Sequence, residues 1–312
     1  MEELNRYLRE NPTLMHIFKN LKTQLDKLHR HARQGAYATR ARYYCAMLVY
    51  VKFLAVVFHL EKLSNMGGMH LAAYIEWRQA CGISPATIKS ELCAIRYYHD
   101  QMPAYRHPIP SNNALSVQLE RRRFGEADRS WTPDQLDAFV ALAREKGKED
   151  YARLFILAYD LGLRIHESFR LDRAAAAEAI RNGDLTVKGK GGKIRSVPLT
   201  RRSRIVLVDK LSETAPGEKL FVPRDRPTHL EILALQQFII RYRDEVQGKN
   251  CLTPLTYHGL RHAFAANRYR ELKEAGRSDF EAHLAVSRLL GHERADVTDI
   301  YLVAVKNGWD HV

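Results

Sequence analysis

Five side chains, distant from one another in the sequence, make up a set suited to phosphoryl chemistry. Arg164 lies in GLRIHE, His258 and Arg261 lie in HGLRH, His292 ends LLGH, and Tyr301 follows nine residues after His292. Two guanidiniums, two imidazoles and a phenol can hold a phosphodiester, neutralise its transition state and attack it. Displacement at phosphorus places charge on the non-bridging oxygens, so catalysis is mostly positioning plus stabilisation of that charge. Arginine suits the task because its planar fork donates two parallel hydrogen bonds and stays protonated. A phenol, with a reference pKa of about 10, is a poor nucleophile at neutral pH, and neighbouring arginines favour its phenolate. Taken singly, each residue has a plainer reading, a salt-bridging arginine or one packing tyrosine among 15. The fixed spacing from Gly291-His292 sets Tyr301 apart from that background.

Other chemistries fit less well. His258 and His262, four apart, have the spacing of a zinc pair, but Gly259 stands where HExxH has glutamate and no third ligand is evident. The segment from Gly183 to Lys190 approximates a phosphate-binding loop. Five residues separate its glycines instead of four, however, and Gly191 follows Lys190 where Ser or Thr would bind Mg²⁺. Alternation on both sides of a double glycine reads better as a β-hairpin, Leu185–Lys188 and Ile194–Val197. A lysine at such a tip can reach into a DNA groove and protonate a leaving oxygen, most effectively if nearby cations and burial lower its pKa.

The elements that must position these groups are mostly helical. Leu14, Ile17, Phe18, Leu21, Leu25 and Leu28 form one stripe at helical spacing. Lys19, Lys22, Lys27, Arg30 and Arg33 occupy the rest of that segment, a solvated or phosphate-facing surface. Tyr43–Leu60 is apolar but short of the roughly 20 residues of a spanning helix, and reads as a buried helix. A break at Asn65–Gly68 precedes a helix through Ile75 and Trp77. Ser84 caps and Pro85 opens another, with Ile88, Leu92 and Ile95 on its buried side. A proline-rich loop at 103–114 follows this module of four or five helices. The run Arg121-Arg122-Arg123 opens a basic linker ending near Arg129. Beyond it, Thr132, Pro133 and Gln135 form a capping box that starts a second domain.

Lys and Arg total 49 against 36 Asp and Glu, a net charge of +13 over 312 residues. That surplus favours a polyanionic partner, because each cation placed on a phosphate releases counterions. The four scattered cysteines form no CxxC pair, as expected of a reducing cytoplasm. The charged start MEELNRYLRE has no apolar signal-peptide core.

GLRIHE, VKGKGGKIRSVPL, HGLRHAFA, LLGH and Tyr301 stand in the order and spacing of the tyrosine recombinases, the phage-integrase family. The resemblance covers about residues 130–305, and several motifs agree independently. It implies a mainly α fold with a small β-sheet. Residues 1–120 would be a helical core-binding, DNA-binding domain, 121–129 a linker, and 130–312 an α+β catalytic domain. It further implies that Tyr301 attacks the scissile phosphate, leaving a 3′-phosphotyrosine and a free 5′-hydroxyl. Arg164, His258 and Arg261 would stabilise the transition state, with His292 adding a hydrogen bond. Lys190 would be the general acid and Glu167 would brace the site. The phosphotyrosine conserves the bond energy, so no metal, ATP or other cofactor is needed. Expected partners are double-stranded DNA, a homotetramer spanning two DNA sites, and accessory DNA-bending or directionality proteins; no membrane is involved.

The chain departs from the pattern at two internal positions. Gly259 replaces the usual aspartate of the HxLR motif, and Ser168 stands where an apolar residue is commoner, which is expected to loosen packing. A tail of eleven residues, Leu302–Val312, follows Tyr301. Two other readings remain: a type IB topoisomerase, using similar chemistry without synapsis, and a DNA-binding protein that has lost activity.

Overall fold

The Leu14–Leu28 stripe folds as helix α2, Pro12–His31, with Leu14, Ile17, Leu21 and Leu25 buried. The structure is a computed structural model that describes residues 2–32, 35, 37–120, 127–189, 192–248, 251, 253–291 and 298–306. The arginines at 121–123, Lys190 and His292 lie outside the described residues. Two compact units divide the chain, Met1–Arg123 and Phe124–Val312.

In the first unit, α1 (Glu2–Glu10), α2, α3 (Tyr37–Phe58), α4 (Gly68–Ala80) and α5 (Pro85–Asp100) surround one apolar core. The apolar helix is longer than the sequence reading: α3 runs 22 residues and begins at Tyr37. Its first turns carry Arg40 and Arg42, which a helix tolerates in water, so polarity there did not end it. By length and composition α3 could cross a membrane. Met47, Tyr50, Val51, Phe53, Leu54 and Ala55 nevertheless lie in the core of this unit. Ser84 Oγ accepts from Thr87 N–H at 3.3 Å and Pro85 opens α5, as expected. Ile88, Leu92 and Ile95 are fully buried. One buried ion pair cross-links α4 and α5. Arg78 Nε and Nη2 reach Glu91 at 2.9 and 2.5 Å, and Tyr74 Oη donates to the same carboxylate at 2.9 Å. Arg96 fixes the proline-rich loop, donating to the Pro110 carbonyl at 2.8 and 3.1 Å.

The second unit opens with α6 (Pro133–Glu145), whose capping box forms as expected: Gln135 N–H to Thr132 at 3.2 Å, and Thr132 N–H to Gln135 at 3.0 Å. It continues through α7 (Glu149–Leu161), α8 (Ile165–Ser168) and α9 (Arg173–Asn182) to the hairpin. Strands β1 (Asp184–Lys188) and β2 (Ile194–Pro198) pair antiparallel, with Leu185 opposite Val197 and Val187 opposite Arg195. Helices α10 (Arg201–Glu213), α11 (Thr228–Gln247), α12 (Tyr257–Glu274) and α13 (Asp279–Leu290) follow, and α14 (Val303–Lys306) comes after Tyr301. Trp131, Phe139, Phe155 and Phe264 anchor the core between α6, α7 and α12. The architecture is mainly helical with a small two-stranded sheet.

Candidate active site

The site gathers where α7 ends and α12 begins. Gly162 caps α7 in the left-handed region, φ 61°, and a side chain there would collide with the Phe264 ring. Glycine is therefore required twice over. The turn places Arg164 immediately before α8 and aims its backbone N–H at Glu167 Oε2, 2.8 Å away. Arg164 Nη1 reaches Glu167 Oε1 at 2.9 Å. On α12, His258 lies in the first turn and Arg261 one turn further in.

Tyr301 meets these groups. Its hydroxyl is 3.0 Å from His258 Nε2. Its ring stacks on His262, centroids 4.4 Å apart at 24°, and the Arg261 guanidinium carbon lies 5.7 Å from its centroid. Tyr301 is 8% exposed. Arg261 is fully buried, and its Nη1 and Nη2 donate to the carbonyls of Gly162 and Leu290. Of the seven residues singled out by sequence, Arg164, Glu167, His258, Arg261 and Tyr301 are thus brought together. Lys190 adjoins Gly189, where an added Cβ would lie 3.4 Å from Glu167 Oε1 and 3.6 Å from Arg164 Nη1. His292 adjoins Gly291 at the end of α13.

Electrostatics follow from this crowding of cations. Burial alone would raise the Glu167 carboxyl, but hydrogen bonds and charge from Arg195, then Arg164, hold it at about 2. His258 keeps an exposed edge. Desolvation, then the charges of Arg261, Arg164 and Arg129, still push its imidazole down to about 4. It is therefore neutral at physiological pH and can accept a proton. Arg261 is lowered to about 10, first by burial and then by Arg164 and Arg195, and remains a cation.

Two residues of this site escaped the sequence reading. Arg195 is buried and binds Glu167 in a bidentate pair at 2.9 and 2.8 Å. The signal for it was present: in β2 it occupies the inward phase shared by Val197, where a lone cation demands a counter-ion. His262, weighed above only as a metal ligand, is instead the platform under Tyr301. Its imidazole, lowered to about 3 by burial and then by His258, Arg129 and Arg261, stays neutral where the unfolded chain takes a proton. This contribution to stability is complete above about pH 6.5 and is lost as pH falls towards 3. Unfolding free energy at pH 5 is expected to be about 2 kcal/mol below its value at pH 7.5 from this group alone. Urea titrations at both pH values, with His262→Gln giving a flatter dependence, check this; an identical slope in that variant would refute it.

Both departures from the family pattern have physical explanations. A Cβ at Gly259 would run into the Arg129 carbonyl and lie 2.7 Å from Trp131 Cδ1. Trp131 in turn donates from Nε1 to the Thr256 carbonyl at 2.9 Å, clasping the start of α12. Gly259→Ala should therefore cost about 1–3 kcal/mol by overpacking, read as a lower melting temperature; an unchanged melt would contradict the clasp. Ser168 does not loosen the packing as expected. It is fully buried, with Oγ 2.8 Å from the Tyr257 hydroxyl, which donates onward to the Leu154 carbonyl at 3.2 Å.

Comparisons with known proteins bear on the family and the fold. Residues 129–307 match the phage integrase family and residues 18–102 match the phage integrase N-terminal domain. The tyrosine recombinase XerD of Xanthomonas campestris pv. campestris is 30% identical over 247 residues, spanning 75% of this chain and 72% of that one. XerD of Pseudomonas putida is 26% identical over 261 residues, 80% of this chain and 81% of the relative. Among solved structures, a lambda integrase (75–356) dimer bound to a COC′ core site aligns with a TM-score of 0.64 at 20% identity, covering 94% of this chain and 98% of that one. The XerH site-specific recombinase bound to a palindromic difH substrate aligns at 0.62 and 18%, covering 98% and 92%. With the family matched across more than half its length, around a tyrosine set against a histidine and a buried arginine, the chain belongs to the phage integrase family of tyrosine-type site-specific recombinases.

Proposed function

We propose that Tyr301 is the nucleophile of DNA strand cleavage and rejoining. The observation that carries this reading is the 3.0 Å approach of its hydroxyl to His258 Nε2, an imidazole kept neutral by its surroundings. Tyr301 Oη bonds to the scissile phosphorus as its proton passes to His258 Nε2. The P–O5′ bond breaks, and the 5′ oxygen takes its proton from Lys190. Arg164 and Arg261 stabilise the charge on the non-bridging oxygens, and His292 adds a hydrogen bond. Glu167 holds Arg164 in place. The roles of Lys190 and His292 rest on their positions in the family motifs. Attack by a second strand's 5′-hydroxyl reverses each step and rejoins the DNA, with no call on metal or ATP.

Strand exchange needs two duplexes and four tyrosines, so the working assembly is a homotetramer on double-stranded DNA in the cytoplasm. Accessory DNA-bending or directionality proteins, and a place on a mobile element, suit this task. Duplexes drawn from the DNA flanking its own gene, one labelled, test the reading. Joined products of two duplexes, formed in EDTA by a complex with the mass of four protomers, are expected. Relaxation of a single supercoiled circle without any exchange would favour a type IB topoisomerase. Binding without cleavage would favour an inactive DNA-binding protein.

A further inference from the structure

Glu167 accepts four hydrogen bonds. Two come from Arg164, backbone N–H to Oε2 at 2.8 Å and Nη1 to Oε1 at 2.9 Å. Two come from Arg195, Nη1 to Oε1 at 2.9 Å and Nη2 to Oε2 at 2.8 Å. A carboxylate offers about four lone-pair sites, so this one is saturated. The side chains of Glu167 and Arg195 are 0% and 5% exposed, whereas Arg164 keeps 25%. Arg164, with His258, lines a cleft of about 460 Å³. The carboxylate is thus held from behind by a sealed guanidinium and in front by one that still faces the substrate side.

The charges then divide in a definite way. Arg195 and Glu167 cancel inside the protein, and the positive charges of Arg164 and Arg261 are left for an anion. We infer that Arg195 is the dedicated counter-ion of Glu167, and that by satisfying this buried carboxylate it leaves the charge of Arg164 available to the scissile phosphate. The inference rests on the chemistry proposed above. Without Arg195, the buried carboxylate would have Arg164 as its hydrogen-bonded cationic partner among the described residues, and the phosphate would compete with it for that charge. Arg195 touches no reacting atom and is a positioning residue.

Its surroundings fit that role. Arg195 Nη2 lies 3.4 Å from the Gly162 carbonyl, which also accepts from Arg261. A Cβ on Gly291 would sit 3.3 Å from Arg195 Cδ, so the end of α13 packs on the arginine's stem. Arg195 Nε is buried with no hydrogen-bond partner among the described residues. A guanidinium kept there at that cost is retained for its charge and for its two-pronged hold on Glu167, not for full hydrogen bonding.

Removing both charges separates this role from simple cross-linking. Single-turnover cleavage would be measured on a nicked duplex that the wild-type protein converts to adduct, per folded and DNA-bound enzyme. Arg195→Met should slow it about 100-fold, the scale of losing one transition-state donor. DNA affinity, spread over many phosphate contacts, should shift less than about threefold. Arg195→Met/Glu167→Gln, with no carboxylate left to neutralise, should be at least about tenfold faster than Arg195→Met. Arg195→Lys, which keeps the charge but loses the two-pronged hold, should cleave at a rate between those of Arg195→Met and wild type. A double variant no faster than Arg195→Met, or Arg195→Met as fast as wild type, overturns the inference. If Arg195→Met does not fold, the double variant is still expected to fold and cleave, and its failure to do either also overturns it. Absence of adduct from the wild-type protein would instead overturn the proposed chemistry itself.

Discussion

Tyr301→Phe is expected to form no covalent protein–DNA adduct, a loss of more than about 10⁴-fold in cleavage, while binding DNA about as tightly as wild type. The variant removes one oxygen, the atom proposed to bond to phosphorus. The ring that stacks on His262 and lies beside the Arg261 guanidinium remains. The lost hydrogen bond to His258 costs about 1 kcal/mol. The melting temperature should therefore fall only slightly, and a gel-shift titration should overlay that of the wild type. Appreciable adduct in this variant would mean that another residue attacks.

Arg261→Ala should lose about 10³-fold or more in cleavage per bound complex, and it should also destabilise the fold. The second effect follows from the burial of this residue, whose Nη atoms donate to the carbonyls of Gly162 and Leu290. Truncation takes this donor from the Leu290 carbonyl, leaves the Gly162 carbonyl with the longer 3.4 Å contact from Arg195, and opens a cavity, costing about 2–5 kcal/mol. Stability and catalysis can be told apart by measuring both. Urea unfolding reports the first, and single-turnover cleavage at a temperature where the variant is folded reports the second. A variant that cleaves normally once folded would reduce Arg261 to a structural clasp between α7 and α13. Binding should weaken far less than cleavage, since one buried cation is a small share of the phosphate contacts of a +13 chain.

Much of the site could be read from the sequence because catalysis constrains residue type and order together. Arg164, His258, Arg261 and Tyr301 sit in short motifs whose spacing survives folding, and the structure brings all four to one place. The capping residues Ser84 and Thr132 announced their helices, and strict alternation announced the hairpin. What could not be read depends on contacts between segments far apart in sequence. Nothing local to Gly259 says that Trp131, 128 positions earlier, lies against it. Ser168 looks like a packing fault until Tyr257 supplies its hydroxyl partner. His262 reads as half of a zinc pair, and only the return of the chain at 301 makes it an aromatic platform. Arg195 is the intermediate case. Its inward phase in β2 was visible, but the carboxylate it neutralises lies 28 residues upstream.

The most direct test is to identify the residue that carries the DNA. Adduct formed in EDTA on a nicked duplex would be digested with protease and nuclease, and the nucleotide-bearing peptide sequenced by mass spectrometry. The expected result is a single 3′-linked nucleotide on Tyr301, with a free 5′-hydroxyl on the released strand. A nucleotide on any other side chain, a 5′ linkage, or adduct that forms only when divalent metal is restored would contradict Tyr301 as a metal-independent nucleophile.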